Sequence, residues 1–230
     1  MNSRRWKPTL ALLLLVPAAS LGVVSAMILF PGTRLGTLLF GACKVWLFGL
    51  PLAWRLFVDK QPISFSPPRR GGFFAAVLSG GLISLAILAA YLGPGRRLVD
   101  QSLLVEKLTA IGLGSTWMYA GGAAYWILVN SVLEEYVWRW FCVRQCEQLL
   151  PRVPAVALSA LFFTLHHVIA LQVYMGPLPV VVCSLGIFTG GAIWSWMYTR
   201  YRSIWPGYVS HAIVDLCVFG IGAWMLFGPG

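Results

Sequence analysis

Glu134 and Glu135 followed by Arg139, His166 beside His167, and His211 followed by Asp215 are acid and imidazole groups set inside long apolar runs of the sequence. Each such group in hydrocarbon costs about 2.5–3.5 kcal/mol on insertion scales, so their accumulation marks a functional site. One carboxylate with two imidazoles can take a proton from water, stabilise a developing oxyanion and protonate a leaving amine, the three needs of amide hydrolysis. Glu134, His166, His211 and Asp215 are therefore the candidate catalytic set. Glu135 and Arg139 stand i, i+4 with the acid first, the order that favours mutual neutralisation on one helix face, and they read as a structural ion pair. Glu134 is rotated by about 100° from that face and is left free for chemistry. His211 and Asp215 repeat the i, i+4 spacing and can enter one cavity together. His167 reads as structural or turned to the opposite side, Phe162 as a ring closing the cavity one turn before His166, and Lys44 as either snorkelling or lining the same cavity.

These groups require bilayer-crossing helices to hold them. The 230-residue chain is 59% hydrophobic and only 10% charged, with a mean hydropathy of +0.78, where soluble domains carry about 25% charged residues. So few charges cannot clothe a soluble exterior, and lipid must be the principal solvent. A soluble enzyme, a disordered tail and a disulfide-rich secreted module are excluded. The 17 basic against 7 acidic residues give a net charge of +10, yet no basic run exceeds two residues, which argues membrane orientation rather than nucleic-acid binding. The five cysteines imply no disulfide framework, and Cys142 and Cys146 read as small apolar helix residues.

The chain predicts an all-α fold, a polytopic membrane helix bundle of about seven transmembrane helices forming a single membrane domain over residues 1–230. The spans run roughly over 9–30, 36–58, 72–93, 115–142, 153–173, 178–199 and 204–227. The first is longer than a signal-peptide core and reads as a retained anchor. With the amino terminus in the cytoplasm, that side receives Arg4, Arg5 and Lys7, then Lys60, Arg69 and Arg70, then Arg144 and Arg152, then Arg200 and Arg202, while the opposite side receives Arg34 and the mixed Arg96 to Lys107 segment. Residues 59–70 form a Pro-rich loop, and residues 98–113 an amphipathic surface helix. Paired glycines, with a GxxxG from Gly186 to Gly190, predict close helix packing. From the rise per residue, Glu134 lies about 15 Å below the cytoplasmic face, His166 about 20 Å, His211 about 10 Å and Asp215 about 16 Å. Four polar side chains from three helices thus share one layer.

In chain order, Glu134 to Arg139 reads EExxxR, Phe162 to His166 reads FxxxH, and His211 to Asp215 reads HxxxN/D. This pattern resembles the CPBP family of intramembrane endopeptidases, the type II CAAX prenyl proteases and bacterial relatives linked to bacteriocin processing and self-immunity. The likeness covers residues 115–227, with all three motifs in order on separate helices; residues 1–114 contribute general membrane character. It implies a helical membrane protease in which Glu134 and His166 activate a water, while His211 and Asp215 stabilise the oxyanion or hold the water. The last motif position is often Asn in the family. An ionised Asp215 cannot donate to an oxyanion, so its role stays open between orienting His211 and acting in its protonated form.

No cofactor is expected: HExxH is absent, and the His166 and His167 side chains should diverge on a helix. Two imidazoles and one carboxylate nonetheless make a catalytic zinc set, so a zinc-dependent version of the same protease remains the alternative. From a different class, a proton- or ion-relay transporter would use the same groups, but no inverted repeat or matched pair of broken helices marks a carrier. A non-catalytic peptide-binding scaffold is the third reading. The expected partners are the lipid bilayer and a hydrophobic or lipidated peptide substrate, without nucleic acid, and the expected location is multi-pass in the cell (inner) membrane.

Overall fold

Apolar runs bounded by charge, Pro or Gly become helices, and no strand occurs among the described residues 5–228 of the computed structural model. Arg4 lies outside the described residues. Six helices are long and apolar enough to cross a membrane: α1 (Trp6–Leu29), α2 (Arg34–Val58), α3 (Phe73–Leu98), α6 (Arg152–Tyr174), α7 (Pro177–Tyr201) and α8 (Trp205–Phe227). Between α3 and α6 lie the short helix α4 (Gln101–Ala110) and a long one, α5 (residues 116–149). α4 forms within the stretch 98–113 where a helix is expected. The Asp100 side chain caps it by accepting from the Leu103 N–H at 3.1 Å, and Gln101 Nε2 donates to the Met225 carbonyl of α8 at 2.9 Å.

α5 is where expectation and structure part. It occupies the fourth expected span, but it runs to residue 149 instead of 142, and its apolarity falls below that of the other six. The reason is its cargo. Glu135 and Arg139 are fully buried, and α5 turns these groups into the bundle rather than toward lipid. Two stretches of α5, Trp126–Asn130 and Glu135–Val143, are π-helical and flank the short α turn Ser131–Glu134. Such widened turns are rare and gather at functional sites. The side chains bond into the loosened ladder: Ser131 Oγ donates to the Trp126 carbonyl five residues back at 2.9 Å, and Ser159 Oγ of α6 donates to the Trp138 carbonyl at 3.0 Å.

Packing holds the other helices around this one. Val137, Trp138, Phe141, Cys142 and Val143 of α5 are buried against Ala11 and Leu15 of α1, Ala155 and Phe163 of α6, and Trp194 and Met197 of α7. In a bilayer, lipid tails are as apolar as Leu, so association rests on close contact, which small residues allow. Gly80 brings α3 onto α8, because a Cβ there would stand 2.9 Å from the Ser210 carbonyl oxygen. Gly191 brings α7 onto Phe163 of α6 in the same way, at 3.1 Å. The GxxxG expectation does not hold. Gly186 faces open space and Gly190 faces Trp194 of its own helix, so the close approach is made by Gly191, one position along.

Gly80→Val forces α3 away from α8 and lowers stability by about 1–3 kcal/mol. Gly81→Ala, facing open space, leaves it unchanged. Equilibrium unfolding of the purified variants in detergent measures both.

Candidate active site

Consecutive residues of an α-helix diverge by about 100°, so two adjacent acids should not meet one partner. Glu134 and Glu135 do, at the junction where the α turn passes into the longer π segment and the turn per residue falls. Glu135 Oε1 lies 3.1 Å from His211 Nδ1, and Glu134 Oε2 lies 3.7 Å from His211 Nε2. A carboxylate accepts, so Nδ1 carries the proton and donates to Glu135. Glu135 therefore does more than the expected pairing with Arg139, which it also meets, at 3.4 Å from Nε. It orients the imidazole. Gly207, one turn before His211 on α8, leaves the space that the Glu135 carboxylate fills; a Cβ at that position would collide with Oε2.

α8 supplies the other side of the cluster. Asp215 Oδ1 lies 3.7 Å from His211 Nε2, and Asp215 Oδ2 is hydrogen-bonded to Ser131 Oγ at 2.6 Å. At 3.7 Å these are charge-pair spacings rather than hydrogen bonds. The ring itself is clamped. Trp194 of α7 stacks on it with centroids 3.9 Å apart and planes at 16°, and Phe163 meets it edge-on at 6.1 Å. Trp194 Nε1 donates to Ser210 Oγ at 3.0 Å, and Ser210 Oγ bonds Ser79 Oγ of α3 at 3.0 Å. Helices α3, α7 and α8 thereby share in fixing one imidazole.

Arg139 lies on the far side of Glu135. Its guanidinium carbon sits 4.4 Å from the Phe163 ring centroid and 5.2 Å from that of Trp194, so aromatic faces take up charge that water would otherwise solvate. The aromatic at the centre of the site is Phe163, not Phe162. Phe163 is 2% exposed and touches Arg139 and all three histidines, whereas Phe162 is only half-buried at the edge of the core. One helical position separates the two, and FxxxH spacing selects Phe162 while the contacts select its neighbour.

From α6, His166 stacks parallel to Trp138 with centroids 5.4 Å apart. His167 corrects a second expectation. Its ring does not diverge from that of His166, since the centroids are 4.1 Å apart, and Glu134, His166 and His167 each offer a ligand atom within 4.8 Å of the other two. The cause is local: His167 Nδ1 donates to the Phe163 carbonyl one turn back at 2.8 Å, which draws the ring along its own helix and leaves Nε2 free to accept. Two imidazole nitrogens and one carboxylate oxygen are a donor set that suits zinc, so these three are the residues able to hold a metal. Lys44 lines the site from α2, with Nζ donating to Asn130 Oδ1 at 3.0 Å between the Phe40 and Phe48 rings.

Exposure separates the acids. The Glu134 and Asp215 side chains are 14% and 21% exposed, Glu135 0%. The first two keep open surface and the third has none. The structure thus joins Glu134, His166, His211 and Asp215 in one cluster, and it adds His167, Asn130, Ser131 and Trp194, none of which the motifs single out.

Residues 115–217 match the family model described as Rce1-like: type II CAAX prenyl endopeptidase Rce1-like. The matched segment, somewhat under half of the chain, is similar to the CPBP family of intramembrane endopeptidases. It contains every residue of the three motifs, and with the six helices able to cross a membrane the match indicates a multi-pass membrane protein of protease type. No curated protein and no solved structure matches the chain.

Removing one partner of a buried ion pair strands the other, at a cost of about 3–5 kcal/mol. Arg139→Met is expected to destabilise the helix bundle by that amount. The double variant Arg139→Met with Glu135→Gln recovers part of it, and a double-mutant cycle on unfolding in detergent measures the coupling.

Proposed function

We propose that this chain hydrolyses a peptide bond in a membrane-associated or lipidated peptide, with Glu134 and His166 activating the water. The observation that carries this reading is the position of Glu134. It is the acid with open surface that borders the imidazoles of α6 and of α8 at once. A carboxylate so placed can accept the proton of a water poised against the scissile carbonyl, and His166 can share that water through a ring nitrogen. His211, locked by Glu135 and Trp194, presents Nε2 to the reacting centre and can hold the developing oxyanion or the leaving amine. Asp215, tied to Ser131 through Oδ2 and 3.7 Å from His211 Nε2 through Oδ1, is placed to orient His211. The whole of residues 1–230 works as one membrane domain, with the amino terminus in the cytoplasm.

A second reading keeps the reaction and changes the electrophile. The Glu134, His166 and His167 donor set suits a divalent cation, and zinc held there would supply Lewis-acid activation of the water. Glutamate chemistry without a metal is the leading form, because no HExxH spacing is present and the pair of imidazoles comes from adjacent residues of one helix.

Purified protein in detergent, offered a quenched library of membrane peptides, tests both. Cleavage that persists in a chelator and falls by about 10²–10⁴-fold in Glu134→Gln supports the proposal. Loss of cleavage in the chelator with recovery on added zinc establishes the second reading. Cleavage at the unaltered rate in Glu134→Gln overturns both.

A further inference from the structure

At the end of the bundle remote from α4, a cavity of about 440 Å³ opens between the α2–α3 loop and the ends of α5 and α7. Its walls include Arg69, Arg70, Arg144 and Arg202, and among the described residues no carboxylate lines it. Arg202 is spoken for, pairing in bidentate fashion with Glu147 at 2.5 and 2.9 Å. The other three guanidinium groups gather around the opening without such a partner, a local excess of positive charge that the catalytic cluster does not use.

The cavity is built rather than incidental. Ser66, 5% exposed, accepts from Ser203 Oγ at its carbonyl at 2.7 Å and from the Ile204 N–H at its Oγ at 3.1 Å. Trp205 Nε1 donates to the Phe65 carbonyl at 3.0 Å, and Gly72, with φ of +101°, lies so close to the Tyr201 ring that a Cβ would stand 2.7 Å from it. These bonds fix the loop as a wall. The floor is aromatic: Trp140 and Tyr198 are 5% and 4% exposed. Next to these walls in sequence the character reverses. Ile63 and Phe65, adjoining the lining residues Ser64 and Ser66, and Phe74, four residues after Arg70, are 56%, 83% and 83% exposed. A soluble anion would need the arginines and gain nothing from these apolar side chains. An amphiphile needs both.

We propose that this cavity binds the phosphate of an anionic phospholipid headgroup, held by Arg69, Arg70 and Arg144, with the acyl chains lying over Phe65 and Phe74. Basic pockets between transmembrane helices serve headgroups in this way, and arginine forks match phosphate oxygens geometrically. The site is separate from the catalytic cluster but shares its helices. Trp140 follows Glu134 on α5, and Tyr198 stands one turn beyond Trp194 on α7, so an occupied cavity braces the two helices that clamp the cluster.

Native mass spectrometry of the purified full chain, titrated with phosphatidylglycerol or with phosphatidylcholine of the same acyl chains, tests this. Phosphatidylglycerol is expected to be retained preferentially, with retention weakened about fivefold for each arginine removed in the double variant R70Q/R144Q. The double variant R69Q/R70Q, confined to an exposed loop, gives the same readout should the Arg144 substitution impair folding. R96Q/R97Q, at the opposite end of α3, leaves retention unchanged. Equal retention of the two lipids, or undiminished phosphatidylglycerol binding in R69Q/R70Q and R70Q/R144Q, overturns the proposal. Displacement of phosphatidylglycerol by equimolar inorganic phosphate also overturns it, assigning the cavity to a soluble anion.

Discussion

One imidazole between two carboxylates of consecutive residues is the constraint around which the rest of the bundle is arranged. In water this would be an unremarkable pair of weak contacts. In a bilayer each ionised group must find its compensation within protein, so the positions of Glu134, Glu135 and His211 dictate what surrounds them. Glu135 faces Arg139 as well as His211, Arg139 faces Phe163 and Trp194, and Trp194 stacks on His211 and bonds Ser210. The chain of partners closes on itself. Its members come from α5, α6, α7 and α8, which explains why the most polar long helix is also the one most enclosed by the others.

The π segments give this arrangement its geometry. An α-helix would send Glu134 and Glu135 to different neighbours, one toward His211 and one away. Widening the turn at Glu135 keeps both within reach and divides them by depth: Glu135 is sealed in against the ring, and Glu134 keeps open surface. The cost of the loosened ladder is offset by hydroxyl groups, with Ser131 and Ser159 donating to carbonyls of the irregular stretches. Ser131 carries a second task, since its hydroxyl lies 2.6 Å from Asp215.

Much of the fold was legible because it depends on long apolar runs and on the few charges between them. The six apolar spans, the Pro-rich loop and the short helix α4 follow from that reading. The shared depth of Glu134, His166, His211 and Asp215 followed from helix rise alone, and in the structure those groups do meet. What helical spacing could not supply was rotation. The place of His167 depends on a bond to its own helix at Phe163, and the central ring is Phe163 rather than Phe162. Each differs from the expectation by one residue, about 100° of turn. The π segments themselves leave no mark in the hydrophobic pattern, because the residues on every side of them are apolar and buried.

The central claim is that Glu134 borders all three histidines of the chain. With only three imidazoles in the sequence, ¹⁵N-histidine NMR of the detergent-solubilised protein reads them individually. Replacing Glu134 by Gln is predicted to move all three sets of ring-nitrogen signals, while Glu106→Gln, on α4, moves none. Signals of His166 and His167 that stay in place when Glu134 is replaced would contradict the account.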